Sequence, residues 1–550
     1  MKKTNRKIEK TDATAILLHW GFVITLVFSL LTGLRISADA PDAFWSRALS
    51  PALLQGDVML WHAWAAYGFV LVALGYIIFL IRARLNARVT LDDTRLQGVI
   101  TGDRTTRWKS INIILYWFAF IVILLNSFTG ILLYIEPGLF SHPLVSSLHA
   151  GGAWAIMAYA LLHIIAQLAQ GGLRQLLKIV NPKAAYGSAT MVSAGSLVLL
   201  GGSVLALDRL TVRDYEVSRT DQIPVLDGNP DDPVWKATET IDIQTRRGVN
   251  QPDGEVTVSL NMAHDNEYLY ALFRWPDSTR SQKHLPLQKT ASGWRVVQKE
   301  YGIQDEDDYY EDKFGVMLSR TPQMAGAGTT HLGPKPLVGK PAPSGDRGLH
   351  YTTDGSVVDV WHWKSVRTGS SDMNQIDDNF FGPPLEPREG KRYTGGYSKD
   401  PKTGGGFKMN WERYSDDLIT PRRLPKDPSM LNQIGNLNLD SSASDDGKFW
   451  MKLEDTVPYS EALDNYPVGT IMPSVLVDGP FEGDRGDVQA SAKWHDGWWC
   501  LEVRRKLDTG SKYDTALLHH RTTYLWVAAF DHAQTRHSMH LHPVSLNLEN

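Results

Sequence analysis

Residues 147–163 read SLHAGGAWAIMAYALLH and place two histidines, His149 and His163, in a run of apolar and small residues. Fourteen residues along an α-helix make about 3.9 turns, so both imidazoles project from nearly the same face, about 21 Å apart along the axis. An imidazole inside a hydrocarbon layer is costly unless its ring nitrogens bind something. What these two histidines bind therefore decides the fold.

The chain has two unlike halves. Its 550 residues carry a net charge of −4 and an average apolar content, which alone would describe a soluble protein. Apolar runs of about 20 residues, long enough to cross a hydrocarbon core of about 30 Å, occur only in the first 210 residues. Five spans are predicted there, at about 15–35, 60–82, 111–135, 148–170 and 188–207.

Basic residues in the connections predict the orientation of these spans. The N-terminal tail and the connections 83–109 and 171–187 are rich in Lys and Arg, whereas 36–59 and 136–147 hold only Arg47. Because cytoplasmic loops carry the excess of basic residues, we expect a cytoplasmic N-terminus in a bacterial inner membrane. The fifth span then delivers the rest of the chain to the periplasm.

A secretory signal peptide is the alternative for the N-terminus, since Ala38-Asp39-Ala40 follows a basic tail and an apolar run. The run is longer than the usual signal and contains His19, so it is kept as a span.

Two more histidines lie at matching depths in other spans. His19 lies near the inner start of the first span, and His62, in MLWHAW, lies near the outer start of the second. The sequence therefore offers an inner pair, His19 and His163, and an outer pair, His62 and His149. Two imidazoles that approach from opposite sides are the axial ligands of a six-coordinate haem iron, so two b haems are predicted. The alternative for any single intramembrane histidine is a hydrogen-bond partner or a proton relay.

Three further residues of the spans are candidates for haem contact. Gly33, in LLTGLRI, follows His19 by fourteen residues, and Gly130, in NSFTGILL, lies at a similar depth. A missing side chain would let a flat porphyrin approach the backbone, although ordinary small-residue helix packing explains these glycines equally well. Arg35, near the outer end of the first span, is placed to meet a haem propionate, with snorkelling to the interface as the alternative.

Residues 10–180 resemble the bacterial cytochrome b561 family and its relatives, the di-haem cytochrome b subunits of formate dehydrogenases and nickel-iron hydrogenases. The resemblance rests on LLHWGFVITLVFSLLTGLRI, MLWHAW, RWKSINIILYWFAFIVILLNSFTGILL and the helix of His149 and His163. It implies a four-helix core with one histidine on each of the first two helices and two on the fourth, exchanging electrons with the quinone pool. The fifth span lies outside that core and is interpreted as an anchor.

The remainder of the chain predicts an all-β sandwich. From residue 222 onward, short alternating runs such as EVTVSLNMA, EYLYALFRW and TTYLWVAAFD are separated by Asp, Gly and Pro. We expect an irregular insertion near 380–450. The predicted organisation is a transmembrane di-haem domain at 1–185, a fifth helix and linker at 186–210, and a periplasmic β-sandwich at 211–550.

Most of 222–548 resembles the haem-binding subunit of ethylbenzene dehydrogenase and related periplasmic molybdenum enzymes. The resemblance rests on LDGNPDDPVWKA, YYEDKFGVMLSR, GSVVDVWHWKSVR and GDVQASAKWHDGWWCLEVRRKLDTG. It implies a third haem, bound non-covalently because GAGTTH at 326–331 lacks the cysteines that some relatives carry there. Its candidate ligands are Met317, His331 and His540, with a core methionine and a polar surface strand as the alternatives for Met317 and His540.

The sequence thus predicts a membrane-bound b-type cytochrome that links the quinone pool to a periplasmic redox partner. Two alternatives stay open: an oxidoreductase that acts directly on a small oxidant of the superoxide type, and a two-haem anchor subunit whose C-terminal domain only binds a partner protein. A homo-oligomer is also left open. The sequence offers no basic face for nucleic acid and no nucleotide-binding or zinc motif.

Overall fold

The computed structural model forms two compact units, one ending at Thr211 and the other beginning at Val212. The residues that it describes are 10–38, 45, 49, 52–85, 89–136, 140–183, 187–208, 211–298, 306–324, 328, 350–369, 373–383, 396–414, 418–433 and 448–550.

The first unit is helical. Its long helices are α1 (Ala13–Ser37), α2 (Val58–Arg82), α4 (Arg104–Ile135), α5 (His142–Gly171) and α7 (Gly187–Asp208), and its shorter elements are α3 (Asp93–Thr101), α6 (Leu173–Leu177), β1 (Thr11–Asp12) and β2 (Pro182–Lys183). Five helices, α1, α2, α4, α5 and residues Gly187–Leu205 of α7, are long and apolar enough to cross a membrane. The prediction of five spans is confirmed.

Local sequence signals set where the long helices begin and end. Asp12 accepts a hydrogen bond from the Thr14 amide (2.9 Å) and Asp103 accepts one from the Thr106 amide (2.8 Å), so each aspartate caps free N–H groups at a helix start. Gly172 ends α5 at a φ of 63°, a conformation that costs glycine little.

The long helices pack as two pairs, α1 with α2 and α4 with α5, and Leu26, Phe69 and Ile156 form one buried cluster between the pairs. Helix α7 packs on α2, where a Cβ on Gly75 would lie 2.8 Å from Leu197. The Ser193 hydroxyl donates to the Gly75 carbonyl at 2.8 Å. Small residues therefore allow this close contact of two helices.

The second unit is built on one large sheet that folds over on itself. One half holds β9 (Lys313–Ser319), β10 (Val358–Lys364), β11 (Asp377–Phe381), β12 (Tyr397–Lys399), β23 (Thr523–Phe530) and β24 (Val544–Leu548). The other half holds β4 (Ile241–Thr245), β5 (Val256–His264), β6 (Tyr268–Pro276), β21 (Gln489–His495) and β22 (Trp498–Lys506). Strand β3 (Arg213–Arg219) joins the halves by parallel pairing with both β24 and β5.

The core of this unit lies between the two halves of the sheet. Trp275 of β6 stacks on Phe314 of β9, with 4.5 Å between ring centres, and Trp361 is fully buried in the same cluster. Apolar side chains on alternate positions of facing strands produce this core, as in a β-sandwich. The predicted all-β domain after the membrane helices is confirmed.

Smaller sheets cover part of the insertion predicted near 380–450. They contain β7 (Leu287–Thr290), β8 (Gly293–Val296), β13 (Phe407–Met409), β14 (Trp411–Tyr414), β15 (Ile419–Pro421), β16 (Arg423–Pro425), β17 (Trp450–Lys452), β18 (Thr456–Pro458), β19 (Ile471–Met472) and β20 (Val475–Val477). The described residues of this unit also include two short helices, α8 (Pro233–Ala237) and α9 (Met430–Gln433). Within this stretch Ile419 and Leu424 are buried in a second cluster, which also holds Met451. The irregular insertion near 380–450 stays a prediction.

Candidate functional site

The outer pair of histidines meets between α2 and α5. The ring centres of His62 and His149 lie 6.3 Å apart, and the two ring planes are perpendicular, at 89°. A metal–nitrogen bond of about 2 Å and about 1.2 Å from nitrogen to ring centre on each side would separate two axial imidazoles by about 6.4 Å. The spacing therefore fits one iron held between two ring nitrogens.

Hydrogen bonds fix which nitrogen of His62 is available. Its Nδ1 lies 3.1 Å from the carbonyl oxygen of Ser29 and 3.0 Å from Oγ1 of Thr32. A carbonyl oxygen can only accept, so Nδ1 carries the hydrogen and donates it. The lone pair of the neutral ring is then on Nε2, the atom that a metal would bind.

Helix α4 supplies the hydrogen-bond acceptors of His149, just as α1 supplies those of His62. The Nδ1 of His149 lies 3.1 Å from the carbonyl oxygen of Asn126 and 3.1 Å from Oγ1 of Thr129. The sequence reasoning missed both threonines. The signal was present as a repeated pattern, because a threonine–glycine pair follows Ser29 and Asn126 by three residues in SLLTG and NSFTG.

The two glycines of this pattern make room for the imidazoles. A Cβ on Gly33 would lie 3.1 Å from Cε1 of His62, and a Cβ on Gly130 would lie 3.1 Å from Cε1 of His149. We expected these glycines to receive the porphyrin plane, but the group beside each of them is the histidine ring of the neighbouring helix. The missing side chain lets the ring approach the backbone closely enough to reach its carbonyl acceptor.

The inner histidine of α5 is held by side chains. Nδ1 of His163 lies 3.1 Å from Oδ1 of Asn112, which also accepts a hydrogen bond from Nε2 of Gln167 at 3.3 Å. Gln167 also donates to the Tyr116 hydroxyl, and Gln175 donates to Gln167. With the amide oxygen as acceptor, Nδ1 of His163 is again the donor and Nε2 is again the available nitrogen.

The remaining predicted residues of the helical unit lie on α1. His19 is half-buried one residue before Trp20, whose indole N–H donates to the Ile179 carbonyl at 3.1 Å. Its pairing with His163 stays a prediction. Arg35 is fully buried in the last turn of α1, three residues beyond Thr32.

In the C-terminal unit, the candidate haem ligand His540 already has hydrogen-bond partners. Both ring nitrogens of His540 are used, because Nε2 accepts from the Val527 amide at 2.9 Å and Nδ1 faces the His542 carbonyl at 2.7 Å. Burial lowers the pKa of His540 to about 4, so the ring is neutral. Both nitrogens of His540 thus bind backbone groups of its own unit in this structure, and its role as a haem ligand stays a prediction.

Met317 is buried on β9 and packs with Val358, Val360 and Trp526, as a core methionine does. His331 lies outside the described residues. The two remaining candidates for a third haem thus rest on the sequence resemblance.

Comparison with known families finds a match for each half of the chain. The family of prokaryotic cytochrome b561 matches residues 10–182, which contain the four histidines predicted to bind haem. The helical unit is therefore the membrane domain of a b-type cytochrome, and the protein is a multi-pass membrane protein that carries haem and transfers electrons. The ethylbenzene dehydrogenase family matches residues 232–541, more than half of the 550 residues. The chain belongs to the ethylbenzene dehydrogenase family.

Solved structures resemble the chain only distantly. A carbohydrate-binding module of family 9 from Caldicellulosiruptor kristjanssonii, in complex with cellotriose, shares 10% identity over 62% of this chain and 94% of its own, with a TM-score of 0.22. A putative carbohydrate-binding protein from Bacteroides uniformis shares 8% identity over 61% of this chain and 99% of its own, with a TM-score of 0.23. These scores are too low to support an argument. No curated protein matches the chain.

Proposed function

We propose that the chain transfers electrons between the quinone pool and a redox partner on the periplasmic side of a bacterial inner membrane. In this proposal His62 and His149 bind an outer b haem, and His19 and His163 bind an inner one. The observation that carries the proposal is the perpendicular His62–His149 pair, 6.3 Å between ring centres. Each haem, when bound, supplies reversible one-electron chemistry.

The protein's own contribution at the outer site is to fix and tune the ligands. The carbonyls of Ser29 and Asn126 hold His62 and His149 in one tautomer, with Nε2 directed away from the helix that carries the acceptor. Donation from Nδ1 makes an imidazole more basic, which favours the oxidised iron and lowers the reduction potential. Arg35, fully buried near this level, is proposed as the cation that neutralises a haem propionate.

At the inner site, the polar side chains form a short chain toward His163. Gln175 donates to Gln167 at 3.1 Å, and Gln167 donates to Asn112, which faces His163. Amides in or next to a membrane span are costly unless they are hydrogen-bonded, and polar groups at such positions mark functional sites. We assign Gln167 and Gln175 to quinol binding, since they can hydrogen-bond a quinol oxygen next to the inner haem.

A third haem in the C-terminal domain remains part of the proposal, with Met317 and His331 as ligands. Met317 pairs directly with Val360 of β10 and Trp526 of β23, and the smaller Gly315 and Ala528 lie two residues further along the same face. The close packing of Met317 with Val358 and Trp526 favours the second candidate function, a two-haem anchor subunit whose C-terminal domain binds a partner protein.

The experiment uses the purified full chain in detergent. Pyridine haemochrome analysis is expected to give three b haems per chain for the first function and two for the anchor subunit. A short-chain quinol is then expected to reduce the two membrane haems, and the variant Gln167→Leu to be reduced more slowly. Haems that dithionite reduces but the quinol does not would refute the quinone assignment.

A further inference from the structure

Four carboxylates meet inside the C-terminal unit, and none of them is a candidate haem ligand named above. Asp359 lies on β10, Asp378 on β11, Asp400 directly after β12, and Asp514 in the connection between β22 and β23. One carboxylate oxygen from each of Asp359, Asp378 and Asp514 lies within 4.8 Å of the others. The Asp400 carboxyl lies within hydrogen-bond reach of that of Asp514, and its amide donates to the Asp378 carbonyl at 3.2 Å.

These carboxylates are buried and have oxygens without a donor. Asp359 and Asp378 are 0% exposed and Asp400 is 2% exposed. The oxygens without a hydrogen-bond partner are Oδ1 of Asp359, Oδ2 of Asp378, Oδ1 of Asp514 and both oxygens of Asp400. A buried carboxylate oxygen without a donor has lost its water and gained nothing in return.

One guanidinium does not balance this group. Arg505 lies 3.2 Å from Oδ2 of Asp359 and 3.1 Å from Oδ2 of Asp514, which are the oxygens of these residues other than the unpaired ones. Four carboxylates against one arginine leave a formal charge of −3. Burial and the neighbouring acids raise the pKa of Asp359 to about 7 and that of Asp400 to about 8.

A second acidic cluster in the same unit differs in how many of its carboxylate oxygens have hydrogen-bond donors. Asp277, Asp312 and Asp531 also approach one another within 4.8 Å. There, however, Asp312 accepts hydrogen bonds from the amides of His532 (2.9 Å) and Ser281 (2.6 Å), one on each oxygen. Both oxygens of Asp312 already have donors and Oδ1 of Asp531 has none, whereas five oxygens around Asp378 have none.

We propose that Asp359, Asp378, Asp400 and Asp514 form a Ca²⁺ site in the C-terminal domain. Calcium binds six to eight oxygens at about 2.3–2.6 Å, so ligand oxygens up to about 5 Å apart can share one ion. The five unpaired oxygens fit this preference, and the ion reduces the formal charge of the group from −3 to −1. Bound calcium would tie the β10–β12 edge of the sheet to the connection that carries Asp514. The site is independent of the proposed electron transfer.

The test compares the unfolding temperature of the full chain in detergent with Ca²⁺, with Mg²⁺ and with a chelator. We expect Ca²⁺ to raise the unfolding temperature of the C-terminal domain by about 5 °C over the chelated protein. Mass spectrometry of the metals in dialysed protein is expected to show about one Ca²⁺ per chain. No metal and no Ca²⁺-dependent shift in the wild-type protein would overturn the proposal, and these wild-type measurements need no variant to fold.

Variants then locate the ion. Asp400→Asn, which changes a residue at the end of a short edge strand, is expected to abolish the Ca²⁺-dependent shift. The matched control, Asp277→Asn in the second acidic cluster, is expected to keep it. A shift that survives Asp400→Asn and disappears in Asp277→Asn would contradict the assignment, because it would move the ion to the other cluster.

Discussion

The outer and inner levels of the membrane domain hold histidines by different means. At the outer level the backbone carbonyls of Ser29 and Asn126, each beside a threonine, accept from His62 and His149 in nearly identical geometry. At the inner level His163 is held by the side chain of Asn112, which Gln167 supports in turn. A backbone acceptor is fixed by its helix, whereas a chain of amides can rearrange. We therefore expect the outer site to be rigid and the side chains of the inner site to be able to bind a substrate as well.

The largest effect is expected from removing an outer ligand. The change His149→Ala should eliminate the outer haem and leave the inner one, because an iron that keeps only His62 loses half of its axial coordination. The measurement is haem per chain together with the redox titration. His142→Ala, seven residues earlier on the same helix, serves as the control and should keep all haem. Retention of both membrane haems by His149→Ala would contradict the assignment of His149 as a ligand of the outer haem.

The inner level should respond to the loss of a single side chain, that of Asn112, because a side chain and not a backbone carbonyl holds its histidine. Asn112→Leu removes the acceptor of His163 Nδ1, and loss of such a supporting contact typically costs about 10–100-fold in metal affinity. We expect partial loss of the inner haem and an unchanged potential of the outer one. Equal losses at both levels would mean that Asn112 supports the bundle generally instead of His163.

The glycines should show an intermediate effect at the outer level. Gly33→Ala and Gly130→Ala each place a Cβ 3.1 Å from a histidine Cε1, so the ring must shift by a few tenths of an ångström. Overpacking of this kind costs about 1–3 kcal/mol. We therefore expect both variants to lose the outer haem at a lower temperature than the wild-type protein does. Gly151→Ala, where a Cβ meets nothing within 4 Å, is the matched control. A loss as large in the control would remove the special role of the two glycines.

The smallest effect is expected from the two threonines. Thr32→Val and Thr129→Val each remove one of two acceptors of a histidine Nδ1 and leave the carbonyl in place. A weaker hydrogen bond makes the imidazole less basic, so the outer potential should rise by about 20 mV in either variant. Potentiometric titration measures this shift. Potential shifts of opposite sign in the two variants would contradict the claim that α1 and α4 hold their histidines in the same way.

The sequence predicted the helices and the histidines but not the groups that hold them. Apolar length and the fourteen-residue spacing of His149 and His163 are properties of the chain itself, so they needed no tertiary information. The acceptors of His62 are a carbonyl and a hydroxyl on another helix. A single threonine does not reveal such a contact, and only the repeat of a threonine–glycine pair in SLLTG and NSFTG points to it. Asn112 and Gln167 were similarly invisible as partners, because 55 residues separate the amides that meet.

In the C-terminal domain the sequence predicted the longer strands but neither the partners of individual side chains nor the shortest strands. Alternation predicted its strands, but a histidine near a family ligand position, His540, proved to use both nitrogens for backbone groups. Short strands such as β16, three residues long, were hidden in a stretch rich in Gly, Pro and Lys because three residues carry no periodic signal. Burial, which only the fold reveals, decided both cases.

The most direct test of the account is the coordination of the haem in the purified full chain. We predict low-spin b haem with two nitrogen axial ligands in perpendicular planes, seen by electron paramagnetic resonance of the oxidised protein, with the perpendicular signal lost in His62→Ala. A colourless protein, or only high-spin haem with one axial nitrogen, would contradict the claim that His62 and His149 share one iron.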